Sequence, residues 1–455
     1  MQYELLFLLQ CNVALCYIYT DLICIRKGIS MKIPKALQDR MNRYAEQLAH
    51  RPKLQKLYLN CCPNTLETTV TEQEDGSLFV LTGDIPAMWL RDSTAQVTHY
   101  LPLTAEDEEM RRIIKAVIAA QMKFICIDPY ANAFNAAPNG HGHTDDVPKN
   151  DPWVWERKYE IDSLCYPMRL AYLYWKNSAD TSVFDETFAQ AAKKAVALWR
   201  TEQRHFENSP YRFSRTNCPY HDTIHNNGMG MPVSFTGMTW SGFRPSDDAC
   251  TFGYLIPSNM FAVVVLRYLE EVFTDVLDDA DFAAECRDLR IEIDYGIQTY
   301  GVIDHPKYGK IYCCETDGMG NRKLFDDANV PNLISQPYLG YCSADDPMYV
   351  RTRAFVLSED NPYYYRGKAA AGVGSPHTPE NYIWHIALSM QGLTSRDKEE
   401  MKAVLAMLES TDADTGFMHE GFCADDPNRF TRPWFAWSNS LFAEFVEFAV
   451  DNGIV

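Results

Sequence analysis

From about residue 35 onward, apolar residues recur every three or four positions in one segment after another, the period of helices that bury a face. Two kinds of segment alternate. Some are apolar almost all round, as in Asn259-Met260-Phe261-Ala262-Val263-Val264-Val265-Leu266; others carry one stripe on a charged body, as in Phe282, Cys286, Leu289, Ile293 and Ile297. The first kind is buried on every side and the second covers it from outside. The spacing predicts helices near 35–58, 93–103, 105–127, 161–177, 182–203, 258–275, 279–299, 331–340, 346–358, 380–391, 395–409 and 438–451. Thr104 reads as the cap of the third, with Asp107 three positions on, and Pro129 stops it. Residues 69–85 alternate instead, with Leu78 and Val80 on one face and Glu74-Asp75-Gly76 as the turn, which reads as a small β-hairpin. Six inner helices ringed by six outer ones make an all-α fold, an (α/α)6 barrel. No Pro/Ser-rich linker divides residues 31–455, so one domain is expected there.

Residues 1–30 stand apart. Leu5–Leu9 and Val13–Cys24 are apolar, but no positive charge precedes them and Glu4 and Asp21 intrude, which suits neither a secretory signal nor a spanning helix. Met31-Lys32-Ile33-Pro34 reads as a natural start, so residues 1–30 are expected to be an extension from a mis-assigned start, with a weak anchor as the alternative. The fourteen Cys form no CxxC, only the pairs Cys61-Cys62 and Cys313-Cys314, and so suggest free thiols in a reducing, cytoplasmic setting. A formal charge of −19 disfavours nucleic acid and anionic membranes as partners and leaves a neutral ligand compatible.

The long connections at 128–160, 204–257, 300–330, 359–379 and 410–437 hold most of the Gly, Pro, His and Trp, and in a barrel of hairpins they gather at one end. Trp89, Arg91 and Asp92, in Gly83-Asp84-Ile85-Pro86-Ala87-Met88-Trp89-Leu90-Arg91-Asp92-Ser93, combine an aromatic face with groups for charge-assisted hydrogen bonds. A sugar ring needs both, although an Arg91–Asp92 salt bridge at a helix start is the plainer alternative. Asp247 and Asp248 lie together in an aromatic-rich loop. Adjacent carboxylates near apolar surface hinder each other's ionisation and can keep one protonated for acid work; Arg244 pulls the other way, and a helix cap is the competing use. Glu420, in Gly416-Phe417-Met418-His419-Glu420-Gly421, precedes the aromatic stretch Arg432-Pro433-Trp434-Phe435-Ala436-Trp437. Hydrolysis of a glycosidic bond needs two such carboxylates facing across a sugar.

Other clusters are weaker. His141-Gly142-His143-Thr144-Asp145-Asp146 has metal-ligand residue types, but its Gly-rich surroundings favour a substrate loop. His377 and Glu380 precede the helix that carries Trp384 and His385. No Gly-x-Ser-x-Gly elbow, GxGxxG or P-loop occurs, which removes support for a serine triad or nucleotide chemistry.

Four of these stretches, Asp84–Ser93, Arg244–Cys250, Ser375–Thr378 and Phe417–Phe422, together resemble glycoside hydrolase family 125, the exo-α-1,6-mannosidases. The resemblance spans residue 35 to the C-terminus. It implies an (α/α)6 barrel, inversion at the anomeric centre, and no metal or other cofactor. By motif, Asp247 takes the general acid's place in preference to Asp248, and Glu420 the general base's. Arg91 and Asp92 would hold the terminal mannose, with Trp89, Asp248, His377 and Trp437 as further substrate contacts. The partner implied is a mannose-containing oligosaccharide, with no nucleic acid and no stable membrane partner. Inversion requires the two carboxyls to be about 6.5–9.5 Å apart. The alternatives are a related barrel glycosidase acting on glucosides, a calcium-dependent α-mannosidase, and a non-catalytic carbohydrate-binding protein.

Overall fold

The alternation of fully apolar and striped segments becomes two concentric layers of helices in the computed structural model, which describes residues 31–455. The expectations for residues 1–30 lie outside the described residues. In chain order the helices of nine or more residues are α1 (Lys35–Gln47), α2 (Pro52–Cys61), α3 (Leu90–Thr98), α4 (Glu108–Ile127), α5 (Ile161–Ser178), α6 (Glu186–Glu202), α7 (Ile256–Asp275), α8 (Ala280–Tyr300), α9 (Pro347–Val356), α10 (His385–Leu393), α11 (Lys398–Ser410) and α12 (Ala436–Asp451). Helices α3, α5, α7, α10 and α12 are buried along most of their length. They pack side by side in the order α10, α12, α3, α5, α7, and the short helix Gln336–Leu339 continues the ring beyond α7. The striped helices lie outside: α4 on α6, α8 on α7, α11 on α10 and α2 on α12. The architecture is the α/α barrel that the pattern predicts.

The differences are local. The helix expected over 35–58 is two, because Pro52 lacks the N–H that a helix interior needs and is tolerated only in a first turn. Thr104 does not cap α4. Its hydroxyl donates to Leu101 O within a 3-10 turn, and Asp107 is the cap, accepting from Met110 N. The helix expected over 331–340 shrinks to Gln336–Leu339 because side chains take its backbone donors. The Asp326 carboxylate accepts from Leu333 N at 2.8 Å and Ile334 N at 3.2 Å, and Asn332 Oδ1 accepts from Ser335 N, so the backbone turns instead of coiling.

The expected hairpin forms, with Val70 opposite Val80 and Glu72 opposite Leu78. It is one of several small sheets among the described residues, where one hairpin was expected. Met88–Trp89 pairs with Ala133–Phe134 and runs straight into α3; Tyr254–Leu255 pairs with Glu315–Thr316 and enters α7; Tyr382–Trp384 pairs with Gly421–Cys423 and enters α10. Strands of two or three residues are too short for a period of two to register in the sequence.

Five of the outer helices begin differently from the inner ones, whereas α2, after Arg51, has no side-chain cap. Outer helices α4, α6, α8, α9 and α11 start on Asp107, Asp185, Asp279, Asp346 and Asp397, each accepting a first-turn backbone N–H. Inner helices α3, α5, α7, α10 and α12 start after Trp89, Glu160, Leu255, Trp384 and Phe435 with no side-chain cap. Their first-turn N–H groups receive no capping side chain, and their positive dipole ends favour negative charge nearby. Among the described residues no helix is long and apolar enough to cross a membrane.

Candidate active site

Where the starts of α3, α10 and α12 converge lies a cavity of about 270 Å³. Trp89, Trp384, Ile85 and Phe435 give it apolar walls, and Arg91, Asp92, Asp247, Asn329, His377, Glu420 and Arg432 line the rest. This is the sugar-type mixture of flat apolar surface and charged hydrogen-bonding groups.

Arg91 is the centre of the charged wall. The second residue of α3, it is buried among four carboxylates. Its Nη1 donates to Glu160 Oε2 at 2.6 Å, and its Nη2 to Asp247 Oδ1 at 3.3 Å. Asp92 Oδ2 is 3.3 Å from Nε and Asp162 Oδ2 is 3.7 Å from Nη1. The salt bridge to Asp92 therefore exists, within a larger cluster. Asp92 Oδ2 is buried without a hydrogen-bond donor. Burial pushes the Asp92 carboxyl above its ordinary value, against the pull of Arg91.

Asp247 is held in an unusual backbone. Its φ is +66°, a left-handed conformation that costs a non-glycine residue on the order of 1–2 kcal/mol. A tight turn imposes it: Asp247 N donates to Arg244 O at 2.9 Å, Arg244 N to Asp248 O at 2.8 Å, and Lys158 Nζ to Asp247 O at 2.8 Å. The turn sends neighbouring carboxylates to different partners. Asp247 meets Arg91 and the cavity, whereas Asp248 is fixed between Arg244 Nη2 at 3.1 Å and His377 Nδ1 at 2.9 Å. Arg244 is itself held by Glu315 and Asp327, each at 3.1 Å.

That arrangement corrects the expectation that Asp247 and Asp248 raise each other's pKa. Burial pushes Asp247 up, but Arg91 and Lys158 outweigh it and hold its carboxyl below the ordinary range. Asp248 is also lowered, with His377 and Arg244 overcoming burial. Asp248 is not among the residues that line the cavity and is paired with Arg244 and His377 instead. Trp437 is a second correction. It is buried within α12, its ring edge-on to Tyr166 at 6.1 Å and packed by Phe435 at 6.3 Å, away from the cavity, which Trp384 lines.

Glu420 is immobilised from both sides along the chain. Its own carbonyl accepts from His385 N at 3.3 Å, the neighbouring His419 N donates to His385 Nδ1 at 2.9 Å, and Gly421 pairs with Trp384 across the sheet. Its carboxylate faces Arg432 Nη1 at 3.5 Å. Arg432 is anchored in turn by Asp84, through Nη2 at 2.6 Å and Nε at 2.9 Å. Gly83 makes this clamp possible: with φ at +137°, any Cβ there would meet Trp434 O at 2.3 Å, so only glycine lets the two loops run backbone to backbone.

His377 lines the cavity beside these groups. Burial alone would depress its imidazolium, but the hydrogen bond and charge of Asp248, with Glu420 and Asp247 further away, raise its pKa to about 9. A histidine raised from about 6.5 contributes stability that is whole below pH 6.5 and is lost as pH climbs to 9. Thermal melts of wild type and His377→Gln should therefore differ most at pH 6 and converge by pH 10; a gap that stays constant across that range would refute the charged imidazolium.

The cluster from His141 to Asp146 is drawn elsewhere. Asp146 is gripped bidentately by Arg215 at 2.6 and 2.9 Å, and His143 sits 3.5 Å from Glu156. Among the described residues no group of three or more His, Cys, Asp or Glu is placed to hold a metal ion. Sequence reasoning missed Glu160 and Asn329, and it named Arg432 and Phe435 only as parts of an aromatic stretch. Lys158-Tyr159-Glu160-Ile161-Asp162, two carboxylates at the mouth of an apolar helix, was the signal for the first.

A ring of inner helices that brings two loop carboxylates to one small aromatic-walled cavity defines a glycoside hydrolase of the α/α-barrel class. The family model for metal-independent α-mannosidases (GH125) matches residues 51–447. The chain belongs to glycoside hydrolase family 125. It is 38% identical over 434 residues to the meiotically up-regulated gene 157 protein of Schizosaccharomyces pombe, covering 90% of this chain and 85% of that one. A solved metal-independent α-mannosidase of Streptococcus pneumoniae, in a non-productive complex with α-1,6-mannobiose, is 49% identical with a TM-score of 0.90 over 92% of this chain and 99% of that one. A bacterial glucoamylase complexed with acarbose shares the fold alone, at 12% identity and a TM-score of 0.51, over 80% of this chain and 49% of that one.

Proposed function

We propose that this α-mannosidase removes single non-reducing mannose residues from α-1,6-linked mannosides, with inversion. The observation that carries the reading is that Asp247 and Glu420, from loops far apart in the chain, line one cavity with two tryptophans. At about 270 Å³ the cavity is at the small end of ligand pockets, which run from about 300 to 1,000 Å³, and suits one sugar ring at a chain end. The pneumococcal relative's complex with α-1,6-mannobiose supports the linkage.

In this mechanism Glu420 takes a proton from a water that attacks the anomeric carbon, and Asp247 gives one to the departing oxygen on the opposite face. Arg432, tethered by Asp84, keeps the Glu420 carboxylate oriented for that task. Asp92, with a buried oxygen lacking a donor, is free to accept from a sugar hydroxyl. Arg91 serves chiefly to hold the carboxylates in place. Proton NMR of a fresh reaction with α-1,6-mannobiose, chelator present, should show β-mannose before mutarotation. Initial α-mannose would make one carboxylate a nucleophile and defeat the inverting assignment. Release of glucose from glucosides would favour the glucosidase reading, activity lost only with chelator the calcium-dependent one, and binding without release, chelator absent, the carbohydrate-binding one.

A further inference from the structure

The four carboxylates around Arg91 raise a question of charge. Asp92, Glu160, Asp162 and Asp247 face one guanidinium, with Lys158 on the far side of Asp247 and His377 beyond it. Glu160 and Asp162 stand at the uncapped start of α5, both side chains fully buried. Lys158 is divided among Asp247, Asp222 and Glu156. Arg432 also acts on Asp92, but it is shared with Asp84 and Glu420, so the four carboxylates outnumber the cations left to them in so dry a place.

Glu160 and Asp247 accept from the two terminal nitrogens of one guanidinium, Nη1 at 2.6 Å and Nη2 at 3.3 Å, which sets these two carboxyls side by side. Two ionised carboxylates cannot hydrogen-bond to each other, because neither has a proton to give. Glu160 Oε2 already accepts from Arg91 and from Ser163 Oγ at 2.8 Å, while Oε1 is buried with no N–H or O–H facing it. A carboxylate would leave that oxygen stranded; a carboxylic acid need not.

We propose that Glu160 and Asp247 hold a single proton between them, with Glu160 as its resting place, and that Glu160 thereby keeps Asp247 able to act as the general acid. This rests on the reading of Asp247 as acid, and it explains how a carboxyl flanked by Arg91 and Lys158 retains a proton to deliver. The directions of ionisation agree: burial and the charges of Asp247 and Asp162 push Glu160 well above the ordinary carboxyl range, while Asp247 is held below it. In the reaction the bond from the anomeric carbon to the leaving oxygen breaks with its electron pair on that oxygen. Glu160 passes the pair's one proton to Asp247, and Asp247 delivers it to that oxygen, leaving both carboxyls ionised. The water oxygen bonds to the anomeric carbon and yields its proton to Glu420. The pair ends one proton short and Glu420 one richer, and exchange through solvent restores both.

The test compares wild type, Glu160→Gln and Asp247→Asn on two substrates, α-1,6-mannobiose and 2,4-dinitrophenyl α-mannoside, whose leaving group needs no proton. For Glu160→Gln the expected result is a loss of about 30-fold or more on mannobiose at pH 7 and little change on the aryl mannoside, the same selectivity as Asp247→Asn. The alkaline limb of the wild-type pH profile should also move to lower pH by about one unit or more, because Asp247 alone between Arg91 and Lys158 loses its proton early. Unchanged mannobiose turnover and an unmoved limb would overturn the proposal, as would equal losses on both substrates, the mark of a purely structural glutamate. Glu160→Asp, which keeps a carboxyl but shortens its reach, should shift the limb the same way and serves if the glutamine variant does not fold. Wild type that releases no mannose from mannobiose would instead defeat the functional reading, and Asp247→Asn without leaving-group selectivity would defeat the acid assignment.

Discussion

Glu420→Gln is expected to lower kcat on α-1,6-mannobiose by about 10³–10⁴-fold with little effect on KM or on the melting temperature. The amide oxygen can still face Arg432, and Arg432 keeps both hydrogen bonds to Asp84, so the clamp survives the substitution. What disappears is the ability to take a proton from water. A loss confined to kcat is the signature of an interaction made only in the transition state. Glu420→Ala adds an independent arm: azide, a nucleophile with no proton to lose, should restore turnover and give β-mannosyl azide. A Glu420→Gln rate within tenfold of wild type would remove Glu420 from the base's role.

Arg91→Met is expected to be the most damaging single change to the fold, at about 3–5 kcal/mol, the cost of leaving buried charges without their partner. Methionine fills similar space, so the loss is electrostatic and not a cavity effect. The pH dependence fixes the sign. Asp247 has a folded pKa below its unfolded one, so its pairing with Arg91 contributes stability above the ordinary carboxylate pKa and loses it as pH falls. The gap between wild type and variant should accordingly be widest near pH 7 and begin to narrow only below about pH 4. Urea midpoints across that range measure it. A loss below about 1 kcal/mol at pH 7 would mean that the cluster behaves as a surface ion pair does.

The barrel was legible because its two layers write different patterns, all-round apolar in α7 and single-striped in α8, and burial is what those patterns encode. Asp247, Glu420, Trp89, Arg91, Asp92 and His377 were legible as chemistry-bearing types in loops, and the structure brings all six to one cavity. What the sequence hid is direction. Asp247 and Asp248 are neighbours in the chain, and only the left-handed turn at Asp247 separates their surroundings. Trp437 and Trp384 both sit at starts of inner helices, and which ring faces the cavity depends on the rotation of each helix, which no local pattern records. Glu160 was hidden for another reason. Its partners are 69 and 87 positions away in the chain, so nothing adjacent announces that it meets Arg91 and Asp247.

The contrast between aspartate-capped outer helices and uncapped inner ones has a consequence for how such a protein can change over generations. Each outer cap contributes about 1 kcal/mol, and none of the five aspartates lines the sugar cavity. Lineages facing warmer or colder surroundings can trade these residues singly, adjusting the working temperature in small steps while the turnover chemistry stays as it was. The inner starts have no such latitude. Substitutions there act on melting and on turnover together, so drift should accumulate on the outside of the barrel and stall at its mouth.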